Sequence, residues 1–146
     1  MKISNYVARL SMILLTVLII AGCSSTNPAV TLSDIPILPD LTIYEGAEET
    51  TFDTLISALK QAFEVQAAKI EVQYYWMPET VTWEQVEQFY QMVFADTNWT
   101  AVKAGETFNT ACWTRKSRAG KQVLVISAVP IVSSAEHILV LILVLP

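Results

Sequence analysis

Between residues 41 and 146 the spacing of apolar positions alternates between three-to-four and two, and each change of period marks the end of an element. Phe52, Leu55, Ile56, Leu59 and Phe63 recur at helical spacing, and Thr50 with Asp53 three residues on resembles a capping box, so a first helix is predicted over 52–68. The period then drops to two. Ile70, Val72, Tyr74 and Trp76 alternate with Glu71, Gln73 and Tyr75, which predicts a strand from Ile70 to Met77 with the first set buried, ended by Pro78. A second helix is predicted after Thr82, whose capping partner is Gln85. Its apolar stripe is Val86, Phe89, Tyr90, Val93 and Phe94, and its stop is Asp96-Thr97-Asn98. A short strand, Leu41 to Tyr44, precedes these elements. Four more strands follow them: Trp99 to Lys103, Phe108 to Lys116, Lys121 to Val129 and His137 to Leu145. The connections between these four are too short for parallel crossovers. The pattern therefore predicts an α+β fold, two helices packed on a largely antiparallel sheet that ends in a four-strand meander.

The last two strands carry more apolar surface than one buried face requires. Every residue from Ile138 to Leu145 is apolar, so Ile138, Val140, Ile142 and Val144 point to one side and Leu139, Leu141, Leu143 and Leu145 to the other. Either the two helices, or one helix and the opening segment, lie on opposite faces, or the side carrying Ile138, Val140, Ile142 and Val144 is an interaction face for another protein or an apolar ligand. Solvent exposure of the two sides distinguishes these readings.

The first residues have a different organisation. Lys2 and Arg9 are followed by an apolar run from Leu10 to Ile20 and by Ile20-Ala21-Gly22-Cys23, the order of an export signal. The run is eleven residues, short of the roughly twenty that span a bilayer. The four positions ending at Cys23 resemble the lipobox of bacterial lipoproteins. That resemblance implies that residues 1–22 are a signal peptide and that Cys23 is diacylated. The protein is then held outside the cytoplasmic membrane, or at an outer membrane where one exists, as Ser24 after the cysteine suggests. An ordinary secretory signal with an incidental cysteine is the other reading. Residues 23–40, with Pro28, Pro36 and Pro39 and no sustained period, read as the anchored cysteine and a flexible tether. The seventeen residues after Cys23 reach at most roughly 55 Å, which leaves 41–146 as a single domain.

Charge narrows the choice of partners. Lys2 and Arg9 leave with the signal, so 7 of the 9 basic residues remain against 14 acidic ones, a net charge of −7. Nucleic acid, which is bound through positive surface, is not an expected partner. With Cys23 acylated, Cys112 has no partner for an internal disulfide and reads as a small buried apolar residue.

Sites for chemistry are sparse. His137 is the only histidine, which leaves no ordinary triad and no multi-histidine metal centre, and four glycines form no phosphate cradle of known type. No metal or cofactor is expected. Glu45, Glu48, Glu49 and Asp53 cluster without the alternation of a calcium loop and read as a solvated helix start. Tyr75 and Trp83 are the aromatic residues expected outside the core, and so the candidates for stacking on sugars. Arg115, Lys116, Arg118 and Lys121 make a basic hairpin tip on an acidic protein. The tip is either a solvated turn or a contact for an anionic lipid or wall polymer.

A second resemblance rests on Ile43-Tyr44-Glu45-Gly46-Ala47, Phe89-Tyr90 and Asn98-Trp99. These are similar to a small domain of uncharacterised bacterial lipoproteins, with a Tyr-Pro-Gly-Ala strand end, a Phe-Tyr helix and a Gly-Trp opening a meander. Glu45 stands for the proline, and Asn98 for the glycine, as a residue able to take the left-handed helix end. The likeness implies a fold and no activity. The expected function is that of a lipid-anchored envelope protein acting as a non-catalytic binding module. The alternatives are a wall-modifying hydrolase using scattered carboxylates with His137, and a structural lipoprotein without a specific ligand.

Overall fold

A computed structural model of the chain describes residues 27–45, 57, 61, 69–103, 109–131 and 136–146. Its framework is a six-stranded sheet, antiparallel at every pairing, in the order β1-β2-β6-β5-β4-β3. The strands are β1 (Thr42–Ile43), β2 (Lys69–Met77), β3 (Thr100–Val102), β4 (Thr110–Ser117), β5 (Gly120–Pro130) and β6 (His137–Leu145). The expected run of four is thus part of a larger sheet: β3 to β6 are successive neighbours, and β2 joins the far side of β6 with Tyr74 opposite Val140. β6 lies between β2 and β5, and β5 between β6 and β4, and these central positions, covered on both faces, explain why their apolar runs are so long.

One α-helix, α1 (Trp83–Phe94), is complete among the described residues. The Thr82 hydroxyl accepts from the Gln85 amide at 3.3 Å and the Gln85 side chain accepts from the Thr82 amide at 2.9 Å, the reciprocal cap read from the sequence. Its far end is closed by the Thr97 hydroxyl, which donates to the Phe94 carbonyl at 2.8 Å. Asn98 has no positive φ, so it does not take the left-handed conformation suggested for it; Asp40, at φ 72°, is the described non-glycine residue that does. The helix predicted over 52–68 lies outside the described residues except for Ser57 and Gln61, which are helical and exposed.

Both faces of the sheet are core. The first packs Leu124, Ile126, Leu139, Leu141 and Leu143 against Val86, Tyr90 and Phe94 of α1, with the Trp113 ring tilted against those of Tyr90 and Phe94. The second packs Cys112, Val123, Val125, Ile138, Val140, Ile142 and Val144. Val140 is 0% exposed and Ile142 1%, so the four-residue face set out as an interaction surface is interior and offers no open patch. A side chain on a central strand reaches solvent only if nothing lies over it, and these do not reach it.

The segment expected to be a tether is a further correction. Residues 27–41 cross the first face beside α1, burying Leu32 and Ile35 and packing Val30, Ile37, Leu38 and Leu41 against the core. Its backbone is held by side chains of the sheet. Gln122, 0% exposed, accepts from the Val30 amide at 3.1 Å and donates to the Val30 carbonyl at 2.8 Å. The Glu71 carboxylate accepts from the Leu32 amide at 2.7 Å and from the Lys69 ammonium at 2.7 Å. Lys69 first and the Leu32 amide second hold the Glu71 carboxyl below its ordinary pKa. Glu71, Gln73 and Tyr75, which alternation assigned to solvent, therefore lie on the α1 side of the sheet and are half-buried there.

Candidate functional site

The basic residues of the β4–β5 hairpin are brought to one place by the way the sheet ends. β3 pairs with β4 only from Thr100 opposite Thr114 to Val102 opposite Cys112, so Arg115 to Ser117 run on past their β3 neighbour. On the other side β4 stays paired with β5 to the turn, which sets Lys116 opposite Lys121 and Arg115 opposite Gln122. Two basic side chains are thereby placed side by side at the end of the hairpin. At the turn Gly120 has φ 137°, and a Cβ there would lie 2.7 Å from that of Pro146.

The entering chain closes this notch. The Asn27 carbonyl accepts from the Arg118 amide at 3.0 Å, and the Pro28 carbonyl from the Arg115 guanidinium at 3.0 Å. The result is a cleft of about 600 Å³ in which Arg115, Lys116 and Lys121 supply positive charge. Asn27, Asn98, Thr100 and Thr114 add amide and hydroxyl groups to its wall. Three of the four basic residues read from the sequence line it; Arg118 is exposed beside it at the turn.

Arg115 is the most constrained of the set. Its guanidinium carbon lies 5.5 Å from the centre of the Trp99 ring, which itself packs on Phe94 at 5.5 Å, and its Nε is buried without a hydrogen-bond partner. A guanidinium held over an indole ring is suited to carboxylate or phosphate oxygens. Asn98 and Arg115 also wall a second cleft of about 460 Å³, floored by Ile35, Val93, Phe94 and Trp99. Charge and apolar surface thus meet at Arg115.

Other candidates are not assembled in this way. Tyr75 and Trp83 both pack against the first core, so no stacking platform forms from them. Cys112 is buried and its thiol is pushed up to about 11 by burial, which keeps it protonated and unreactive. Burial, with Tyr75 adding to it, also pushes the Tyr90 phenol up, and its hydroxyl has no hydrogen-bond partner. His137 shares a cleft of about 340 Å³ with Glu79, Asn109 and Thr82, but no hydrogen bond or ion pair joins His137 to Glu79. Among the described residues no group of three or more His, Cys, Asp or Glu could hold a metal ion, and no helix is long and apolar enough to cross a membrane. Of the acidic cluster before the first predicted helix, only Glu45 is a described residue.

The basic tip was legible as a run in sequence, but Asn27 and Trp99 were not legible as its neighbours. The signal that would have found them is the pair Gln122 and Pro28: a polar residue inside an apolar strand, and a proline segment able to lie along it. No family model, curated protein or solved structure matches the chain.

Proposed function

We propose that this chain is a lipid-anchored protein of a bacterial envelope, held by acylated Cys23, whose domain is a non-catalytic module that binds an anionic group in the cleft of Arg115, Lys116 and Lys121. The observation that carries the binding half is the convergence of Arg115, Lys116 and Lys121 on one cleft, with the Arg115 guanidinium held over the Trp99 ring at its wall. The lipobox carries the address. The remaining module is sheet-dominated with both faces of the sheet buried, and from residue spacing alone we read 52–68 as a second helix. The interaction is thereby moved from the sheet face to the sheet end.

The test is a titration of the full mature chain in neutral detergent micelles with inorganic phosphate and with glycerol phosphate, followed by the Trp99 indole resonance. Saturable shifts that are lost in Arg115→Ala support the reading; an unmoved Trp99 with either probe contradicts it. The hydrolase reading is favoured only by the shared cleft of His137 and Glu79. Its hydroxyl, that of Thr82, is already engaged as the helix cap. Wall-fragment release that disappears in His137→Ala would restore it.

A further inference from the structure

The docked entry segment fixes the distance between the basic cleft and the anchor. Asn27 is bonded to Arg118, and the four peptide steps back to Cys23 span at most about 14 Å. The hairpin tip therefore cannot stray far from a lipid-bearing Cys23, whereas a free tether from residue 23 to 40 would have allowed any orientation. Charge supplies the second constraint. Four of the 7 basic residues that remain after the signal lie between Arg115 and Lys121, against 14 acidic residues that all lie elsewhere in the chain. An anionic surface attracts this end and repels the others, over a screening length of about 8 Å at physiological salt.

We infer that the cleft takes the phosphate of anionic phospholipids in the same bilayer that holds the acylated Cys23, so that the domain stands with its β4–β5 tip against the lipid surface. This rests on the proposed anchor and names the ligand of the proposed site. Asn27, Asn98, Thr100 and Thr114 line the cleft with groups that hydrogen-bond phosphate oxygens, and Arg115 lies where this polar wall meets the apolar cleft over Ile35 and Phe94. That juxtaposition fits a headgroup with hydrocarbon beside it. Because the anchor supplies the lipid in cis, each contact is intramolecular in effect and needs little intrinsic affinity.

The test uses the full acylated protein reconstituted in vesicles of phosphatidylcholine alone or with phosphatidylglycerol. An environment-sensitive dye is placed at Ala119→Cys on the tip or, in a separate sample, at Thr80→Cys, exposed beyond the Met77 end of β2 at the far end of the sheet. Both proteins should float with both vesicles. The tip dye should be quenched by lipid-borne quencher only when phosphatidylglycerol is present, with its bound-to-free ratio falling about fivefold for each charge removed in Arg118→Ala and Lys121→Ala and falling again at high salt. Failure to float with either vesicle overturns the anchor and with it this inference. Floating with equal tip quenching in both compositions, or with equal quenching at positions 119 and 80, overturns this inference alone. So does release of the tip by soluble poly(glycerol phosphate) at matched phosphate, which would assign the cleft to a wall polymer.

Discussion

The centre of the sheet and its β4–β5 end are built on opposite principles. In the centre, Leu141 and Ile142 are adjacent residues on opposite faces, 0% and 1% exposed, and their neighbours on β5, Ile126 and Val125, are apolar and buried. At the end, Lys116 faces Lys121, Arg115 keeps a buried Nε without a partner, and backbone carbonyls of the entering chain serve as acceptors. Burial without chemistry stabilises the first region. The second tolerates unmet polar capacity, which is where a ligand gains most from binding. On the proposed reading, the sheet separates holding the fold from meeting a partner along its own length.

Breaking the centre should have the largest effect. Leu141→Ala and Ile142→Ala should each destabilise by about 2 to 5 kcal/mol in denaturant unfolding, because each removes a fully enclosed side chain. A large loss at Leu141 with almost none at Ile142 would show that the second face is not core. Next is the link between the regions. Gln122→Leu keeps the volume but leaves the Val30 amide and carbonyl unpaired, and should cost about 1 to 3 kcal/mol. Amide exchange should quicken across residues 28–35 while β6 stays protected.

Smaller effects sharpen the contrast. Glu71 has its folded pKa lowered, so its carboxylate stabilises the fold at pH above the ordinary value of 4.5, and that contribution is lost as pH falls through the lower folded value. Thermal midpoints should drop over that acid range, and less so in Glu71→Gln. Arg118→Ala, at an exposed turn, should change stability by no more than about 0.5 kcal/mol while weakening attachment of the tip to anionic vesicles. A substitution that unfolds the protein at Arg118, or one that abolishes tip attachment at Leu141 without loss of stability, would erase the distinction.

Much of the centre could be read from residue spacing. The strand ending at Met77 before Pro78, the reciprocal cap of Thr82 and Gln85, and the doubly apolar β6 all follow from local chemistry. The entry segment could not, because its burial depends on two side chains, Leu32 and Ile35, and on a glutamine 92 positions away. A segment with no period of its own gives no sign that another element supplies its hydrogen bonds. The same blindness misplaced Glu71 and Tyr75: alternation tells which residues share a face, and the wetter-looking face is the one that receives α1 and the entering chain. The cleft was half visible for this reason. Its charges are close in sequence, and the groups that shape it, Asn27 and Trp99, are not.

The role proposed for the β4–β5 end depends on what Cys23 carries. Intact-mass and peptide mass spectrometry of the protein taken from its native envelope tests this most directly. The account requires a chain beginning at Cys23 with a diacylglyceryl group on its sulfur. A chain that begins elsewhere, keeps residues 1–22, or bears an unmodified thiol would contradict it.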